Sequence, residues 1–299
     1  MIKTILLALM LTLILSSFML ASDKTVIIGA KNFTENFILA ELAKQLLESK
    51  GFKIKNKTGV GSTVARKALE VGQIDLYYEY TGTAYSVFHK GEDLNIMRDK
   101  DKLYKWLKEN DQKKGLIWLK QLNINNTYTL MIQKKTSEKL KIISISDLKK
   151  YMSKINKPLS MAIDAEFYNR PDGFQVLSDY YNFDKNKYIV RIMDPGLTYL
   201  SLVKGLVDVA MGFSTDGRIT YYNFINLIDN KNFFPVYNPA PVLRKNILAT
   251  YPEIENILNI LVKVITLEAI RNLNYKSDVL HKPINRICRK FLLDKKLIR

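Results

Sequence analysis

Apolar and polar positions follow the period of a strand in some segments and the period of a helix in others, and the two kinds of segment alternate along the chain. Residues 25–29 (TVIIG) form a continuous apolar run that predicts a buried strand, and the next segment carries apolar residues at helical spacing until Gly51. Residues 52–58 (FKIKNKT) alternate as a strand does, and residues 74–80 (IDLYYEY) predict another strand. Strands that alternate with helices, without repeats or low-complexity linkers, favour an α/β fold.

Two helix starts can be predicted from capping residues. Asn32 precedes the first helical pattern, and Glu35 follows three residues later, which is the spacing of a capping box. We therefore expect Asn32 to cap this helix and Glu35 to reach back to its amide. Residues 59–63 (GVGST) predict a glycine turn with Ser62 or Thr63 as the next cap. This segment has neither the Walker lysine spacing nor the dinucleotide glycine pattern, so we interpret it as a turn.

The first residues are typical of an exported protein. Residues 1–22 contain one lysine, a long apolar run and a small-residue pair, a pattern that predicts a secretory signal peptide. The alternative is an uncleaved membrane anchor, because the run approaches the roughly 20 residues of a spanning helix. The single cysteine, Cys288, allows no internal disulfide and cannot carry a lipid at the signal boundary, and we expect it to be buried. These features indicate the periplasm of a double-membraned bacterium.

The net charge of +17 raises the question of a nucleic acid partner, because 46 lysines and arginines oppose 29 acids. The lysines are interspersed with acids, as in residues 97–115 (MRDKDKLYKWLKENDQKKG). This mixture is typical of a solvated helix face. We therefore expect no nucleic acid partner.

Three tyrosines occur within four residues in DLYYEYTGT, residues 75–83. In a strand, Tyr78 and Tyr80 share one face and Tyr77 takes the other. Tyr77 and Tyr78 are interpreted as strand residues of the core. Tyr80 stands where the strand ends, and ligands of α/β folds bind just beyond the carboxyl ends of strands. We therefore expect Tyr80 to face a ligand.

Six ordered motifs carry a resemblance to a known family: GAKNFTENFILAEL, GSTVARKALEVGQIDLYYEYTGT, NNTYTL, RPDGF, MDPGLTYLSLVKGLVDVAMGFSTDGRI and FFPVYNPAPVLR. Over about residues 25–250 the chain resembles the osmoprotectant-binding proteins of ABC importers, which bind glycine betaine, carnitine or choline. The resemblance implies the two-lobed periplasmic binding protein fold (type II), with the ligand in the interlobe cleft. The implied division is lobe 1 over residues 23–122 and 234–299, and lobe 2 over residues 123–233.

The same resemblance implies an aromatic cage formed by Tyr80, Tyr128, Phe213 and Tyr237. A trimethylammonium group has a permanent charge but no N–H to donate. Aromatic faces suit it, because their quadrupole attracts the cation and their carbon surface suits the methyl groups. Phe213 stands where many members of the family have tyrosine, so the ring remains and a hydroxyl is lost.

Lys31, Arg170 and Thr83 match positions that can contact a ligand's carboxylate in such proteins. Arg170 could bind it bidentately, with Thr83 adding a hydrogen bond. The alternative for the two cations is an exposed charge or an interlobe salt bridge. Because Thr83 is neutral, its position does not favour choline over a zwitterionic betaine.

The implied mechanism is closure of the lobes around the ligand, followed by docking on an ABC permease in the inner membrane. The resemblance also implies a monomer. We expect no cofactor or metal, since only His89 and His281 are present and no metal-ligand pattern occurs. Two alternatives are kept. One is a receptor for another solute such as an amino acid, which would need an acid to accept the ammonium hydrogens. The other is a periplasmic lyase or dehydratase on the same fold, which we do not expect.

Overall fold

The computed structural model of the protein describes residues 24–299. The expected signal peptide over residues 1–22 therefore lies outside the described residues.

Strands and helices alternate along most of residues 24–299, so the α/β class is confirmed. The strands are β1 Thr25–Lys31, β2 Lys53–Val60, β3 Leu76–Tyr80, β4 Leu116–Trp118, β5 Tyr128–Gln133, β6 Leu159–Ile163, β7 Tyr188–Ile192, β8 Val209–Phe213, β9 Phe224–Asn226 and β10 Pro239–Arg244. The helices are α1 Thr34–Glu48, α2 Ser62–Glu70, α3 Thr81–Thr83, α4 Leu94–Met97, α5 Lys100–Gln112, α6 Lys134–Leu140, α7 Ile145–Met152, α8 Ala165–Asn169, α9 Phe174–Tyr180, α10 Pro195–Val203, α11 Gly217–Tyr221, α12 Lys245–Thr250, α13 Glu253–Asn259, α14 Leu267–Asp278 and α15 Ile284–Asp294. A π-helical segment over Ala84–Phe88 continues α3, and 3₁₀ turns occupy Lys185–Lys187 and Ile260–Lys263.

The first sheet has the strand order β2-β1-β3-β10-β4. Strand β1 is parallel to both β2 and β3, whereas β10 runs antiparallel to β3 and β4. Val26, Ile28 and Ala30 alternate along β1 and pack with the apolar residues of α1 in one buried core. Because β10 comes from the far part of the chain, this sheet is assembled from two separated segments.

The second sheet has the strand order β7-β6-β8-β5-β9 and is built from one continuous stretch of chain. Strand β6 is parallel to β7 and β8, and β5 is antiparallel to β8 and β9. The register places Tyr128 opposite Phe213, so the start of β5 and the end of β8 meet at one edge. In the first sheet, Tyr80 at the end of β3 lies opposite Pro239 at the start of β10.

The tyrosines of β3 take opposite faces, as predicted from the sequence. Tyr77 packs in a core with Leu69 and Trp118, whereas Tyr78 packs with the core of β1 and α1. Both side chains are fully buried, which confirms their interpretation as core residues. Tyr80 instead joins the core of the second sheet, so β3 contributes to contacts across the cleft.

The predicted cap of α1 was wrong. Phe33 occupies the N-cap position without a side-chain cap hydrogen bond, and the helix begins at Thr34. The Asn36 side chain ties this helix start to the sheet, because its Oδ1 accepts from the Lys31 amide at 2.7 Å and its Nδ2 donates to the Tyr78 carbonyl at 3.0 Å. Glu35 does not cap this helix, and its side chain is buried. The predicted cap of α2 was wrong as well, because the N-cap residue is Gly61, without a side-chain cap hydrogen bond, and Ser62 is already the first residue of the helix.

Within residues 24–299, no helix combines the length and the apolar character that crossing a membrane requires.

Candidate functional site

A cavity of about 660 Å³ lies between the two sheets. All seven residues that the sequence singled out line it: Lys31, Tyr80, Thr83, Tyr128, Arg170, Phe213 and Tyr237. Tyr80, Tyr128 and Tyr237 are buried, whereas Phe213 is half-buried. Burial raises the pKa of the three phenols well above its ordinary value, so their rings stay neutral.

Five aromatic rings form a continuous series along the cavity. Tyr80 contacts Phe33 at a centroid distance of 5.7 Å, and Phe33 stacks on Phe213 at 5.2 Å. Phe213 contacts Tyr128 at 5.2 Å, and Tyr128 meets Tyr237 edge-on at 5.8 Å. The series therefore connects the first sheet to the second and ends on the segment that returns to β10. Such a surface offers several π faces to a cation.

Phe33 is the ring that sequence reasoning missed. It stands directly before α1 in the KNFTE motif, at the N-cap position that the sequence pattern assigns to Asn32. Its half-buried side chain lines the cavity between Tyr80 and Phe213. Its position directly after the end of β1 could have identified it, since ligands of α/β folds bind just beyond strand ends.

The hydroxyl of Tyr80 is held by a buried carboxyl. It donates to Glu35 Oε1 at 2.9 Å, and Asn126 Nδ2 donates to the same oxygen at 2.9 Å. Burial raises the pKa of Glu35, although these hydrogen bonds oppose the rise. Glu35 thus holds the Tyr80 ring in position through the hydroxyl of that ring.

Lys31 is already paired within the first sheet. Its ammonium forms a salt bridge with Glu79, and both side chains are almost completely buried. Glu79 also accepts from the Tyr77 hydroxyl at 2.6 Å. Lys31 Nζ lies 5.3 Å from the Tyr80 ring centroid, so the fixed cation lies close to a ring of the series.

Arg170 is held bidentately by Asp172. Nε and Nη2 each donate to this carboxylate at 2.7 Å, and the Tyr237 hydroxyl donates to it at 2.7 Å as well. Burial opposes the charge of Arg170, but the Asp172 carboxylate keeps the guanidinium pKa well above its ordinary value. One carboxylate therefore positions both a cation and a ring of the series.

The remaining edge of Arg170 bridges the two sheets. Nη1 donates to Thr83 Oγ1 at 3.2 Å and to Glu166 Oε1 at 3.2 Å. Glu166 Oε2 accepts from the Ser62 amide at 3.3 Å, which is a second contact across the cleft. These hydrogen bonds hold the cavity closed between α2 and α8.

The charges that line the cavity favour a cation. Lys31 and Arg170 each have a carboxylate partner, and Asp164, Glu166 and Asp194 also belong to the lining. Burial raises the pKa of Asp164 to about 6. Burial also opposes ionisation of Glu166, but Arg170 lowers its pKa below the ordinary value. At neutral pH the carboxylates therefore outnumber the two cations.

Gly82 explains the glycine of the YTGT motif. A Cβ built on this residue would lie 2.6 Å from Cδ1 and 2.7 Å from Cε1 of the Tyr237 ring. Only a residue without a side chain lets this ring pack against α3. The turn after Tyr80 therefore positions a second ring of the series.

The described residues provide no constellation of metal ligands: within residues 24–299, no three His, Cys, Asp or Glu side chains gather around one point. His89 Nε2 lies 2.8 Å from Asp111 Oδ1, the Trp118 indole donates to the same carboxylate at 2.7 Å, and His89 does not line the cavity. The TDGR segment builds the start of α11, since Asp216 accepts from the Arg218 amide at 2.9 Å.

The chain is similar to substrate-binding proteins of ABC transporters. A family model described as the substrate-binding domain of the ABC-type glycine betaine transport system matches residues 24–294. A glycine-betaine-binding protein of Pseudomonas aeruginosa is 35% identical over 285 residues, covering 93% of this chain and 90% of that protein. A carnitine transport binding protein of Listeria monocytogenes is 31% identical over 277 residues, covering 91% and 87% respectively. A solved structure titled glycine betaine/carnitine/choline ABC transporter has a TM-score of 0.74 and 29% identity, covering 91% of this chain and 99% of that one. The expected two-lobed type II fold is thereby confirmed.

Proposed function

The chain belongs to the family of substrate-binding domains of ABC-type glycine betaine transport systems, and we propose that Tyr80, Tyr128, Phe213 and Tyr237 form the cage that captures its quaternary ammonium ligand. The family and the relatives above are substrate-binding proteins of ABC transporters, so the chain is a solute-binding receptor and not an enzyme. Glycine betaine, choline, carnitine and proline betaine are the candidate ligands.

The observation that supports this proposal most strongly is the series of five rings along one cavity. Cation–π contacts contribute roughly 0.5–2 kcal/mol each, so five rings could supply roughly 2.5–10 kcal/mol. A micromolar complex needs about 8 kcal/mol after ordering costs. The rings therefore supply a large part of the binding free energy, and polar contacts supply the remainder.

Thr83, Arg170 and Lys31 are proposed to contact the polar end of the ligand. Arg170 would do so through Nη1, because Asp172 occupies the opposite edge of the guanidinium. Thr83 Oγ1 already accepts a hydrogen bond from this nitrogen, and a ligand oxygen would accept from the same Nη1 donor. Lys31 would act while paired with Glu79. A carboxylate ligand thus meets cations that are partly neutralised.

We further propose that the lobes divide at the two chain crossings, with residues 23–122 and 234–299 in lobe 1 and residues 123–233 in lobe 2. The membership of the strands in the two sheets supports this division. The hydrogen bonds from Arg170 to Thr83 and from Ser62 to Glu166 would form on closure. The closed receptor would act as a monomer in the periplasm, after removal of a signal peptide over residues 1–22, and dock on a permease in the inner membrane.

The test is calorimetric titration of the chain from Asp23 onward with glycine betaine, choline, carnitine, proline betaine, glutamine and histidine. We expect micromolar binding of one or more quaternary ammonium compounds and no binding of the two ordinary amino acids. Binding of an amino acid alone would refute the proposed cage while leaving the fold assignment intact.

Two variants connect the binding to the rings. Tyr80→Ala and Tyr128→Ala should each weaken binding roughly 2- to 30-fold, since each loses one cation–π contact. Tyr221→Ala is the matched control, because Tyr221 is about half exposed and does not line the cavity. Unchanged affinity in both cage variants would contradict the assignment.

A further inference from the structure

Helix α15 presents a basic face to solvent. Arg286, Arg289, Lys290 and Leu293 are all exposed, and their spacing of i, i+3, i+4 and i+7 places them on one side of the helix. The opposite side is buried against α1 in the core of the first sheet. The helix is therefore amphipathic, and its outer side carries three cations around one leucine.

Further cations flank this side of α15. One lysine precedes the helix and three basic residues follow it, all of them exposed: Lys282, Lys295, Lys296 and Arg299. Residues 281–299 thus carry seven lysines and arginines and a single acid, Asp294, so they supply +6 of the formal net charge of +17. We call these seven cations the C-terminal basic face.

The C-terminal basic face is almost free of counter-charges. Within residues 24–299, only Lys290 among the seven pairs with a carboxylate, that of Asp294 at 3.1 Å. Helix α5 shows the contrast, because its lysines are mixed with acids and Lys102 pairs with Asp99 at 3.5 Å. A mixed surface such as α5 is typical of a solvated helix, whereas a surface of one sign attracts a partner of the opposite sign.

The C-terminal basic face lies apart from the ligand cavity. None of its seven side chains lines that cavity. Helix α15 packs on α1 and α14, and Cys288 Sγ lies 3.8 Å from the Ile38 carbonyl oxygen of α1. The acid Glu41 of α1 pairs with Lys44 of the same helix at 3.3 Å, so it does not neutralise the face. A partner could therefore bind here without touching the ligand.

We propose that the C-terminal basic face docks the protein on an anionic lipid surface. Each lysine or arginine close to such a surface tightens binding roughly fivefold, and cations that share one face act together. Leu293 lies among them and is 41% exposed, so it adds an apolar contact with the headgroup region. The inference goes beyond the proposed function and does not depend on which ligand the cavity takes.

A lipid surface fits the shape and the setting of this face. The eleven residues of α15 extend the cations along about 16 Å of helix, a length that suits a broad charged surface. The family works with ABC transporter permeases, which are membrane proteins. A receptor held at the membrane surface searches for its permease in two dimensions, so docking on lipid would speed their encounter.

Co-sedimentation of the chain from Asp23 onward with lipid vesicles tests the proposal. We expect binding to phosphatidylcholine vesicles that contain about one-third phosphatidylglycerol, and at least about tenfold weaker binding to phosphatidylcholine alone. Raising the salt concentration from about 0.1 M to about 1 M should release most of the protein, because the Debye length falls from about 10 Å to about 3 Å.

A triple variant connects the binding to α15. It replaces three cations of the helix by glutamine: Arg286→Gln, Arg289→Gln and Lys290→Gln. We expect binding to the anionic vesicles to weaken roughly 100-fold, since each cation contributes roughly fivefold. The matched control removes the same charge from three exposed lysines of α5: Lys102→Gln, Lys105→Gln and Lys108→Gln. The control should stay within about threefold of the wild type, and thermal unfolding checks that both variants fold.

Each outcome decides for or against the face. No binding to the anionic vesicles would overturn the inference and leave an acidic protein as the partner to look for. Equal binding to both kinds of vesicle would overturn it too, as would equal losses in the two triple variants, because net charge alone would then explain the binding. Calorimetric titration with glycine betaine should give the same affinity in both variants, so a failure of the proposed cage is seen separately.

Discussion

Replacing Asp172 by asparagine should reveal how far Arg170 is neutralised before a ligand arrives. Asp172 accepts two hydrogen bonds from Arg170 and one from Tyr237, each at 2.7 Å. Asp172 and Arg170 are 3% and 5% exposed, so the pair is buried. An asparagine keeps the shape and one acceptor but leaves the guanidinium without its main counter-charge.

The expected cost in stability follows from breaking a buried pair. Removal of one partner typically costs about 3–5 kcal/mol in the free energy of unfolding, because the other charge stays buried. At roughly 2–4 °C per kcal/mol for a chain of this size, the midpoint of thermal unfolding should fall by roughly 6–20 °C. The remaining contact with Glu166 at 3.2 Å favours the lower part of this range.

Asp172→Asn should change the affinity for betaines and the affinity for choline in opposite directions. Unit charges about 4 Å apart interact by about 4 kcal/mol at an effective dielectric constant of 20. Without the Asp172 carboxylate, the positive charge of Arg170 should attract a betaine carboxylate and repel choline. We expect the ratio of glycine betaine affinity to choline affinity to rise at least about tenfold, or about 1.4 kcal/mol.

Thermal unfolding and calorimetric titration at pH 7 measure both effects. Asp179→Asn is the matched control, because Asp179 pairs with Lys185 at 3.2 Å on the surface, where ion pairs contribute little. An Asp172→Asn protein with wild-type stability and an unchanged affinity ratio would refute the conclusion that Asp172 governs the charge of Arg170.

Three further predictions concern a ring, a carboxyl and a thiol. Phe213→Ala should weaken glycine betaine binding roughly 2- to 30-fold in calorimetric titration, whereas Phe213→Tyr keeps the ring and should stay close to the wild type; equal losses in both variants would contradict a role for the ring. Because burial raises the pKa of Asp164 to about 6, its carboxylate attracts a cation at pH 7 but is mostly protonated at pH 5. Choline binding should therefore weaken from pH 7 to pH 5, and Asp164→Asn should reduce this dependence, while an identical pH profile in the variant would exclude Asp164 as its source. Cys288 is fully buried, and burial raises the pKa of its thiol, so a chromogenic thiol reagent should react with it only on unfolding; fast reaction with the native protein would contradict the packing of α15.

Local sequence patterns were sufficient for the α/β class, whereas most of the residues of the cavity lining followed from the resemblance to a known family. The alternation in residues 74–80 identifies β3 and the opposite faces of Tyr77 and Tyr78, because side-chain direction in a strand depends only on parity. The ordered motifs identified seven residues that line one cavity. Their contacts with a ligand remain a prediction.

Pairings between distant residues could not be predicted in this way. Lys31 meets Glu79 because β1 and β3 are parallel neighbours with Ile28 opposite Leu76, so three residues further along the two ends coincide. Strand order and register decide this pairing, and neither is encoded in a local pattern. The capping spacing of Glu35 was misleading for the same reason, since tertiary contacts with Tyr80 outweighed the local cap.

The position of β10 between β3 and β4 determines the order in which the chain can fold during synthesis. Residues 239–244 leave the ribosome after every strand of the second sheet, so that sheet can form while the first still lacks an inner strand. Until then, β3 and β4 have unpaired edges that are open to mispairing, as in other chains that fold unit by unit. The segment that inserts β10 also brings Tyr237 to the cavity, so the ability to bind a ligand is gained only after the second sheet has been synthesised and β10 has been inserted.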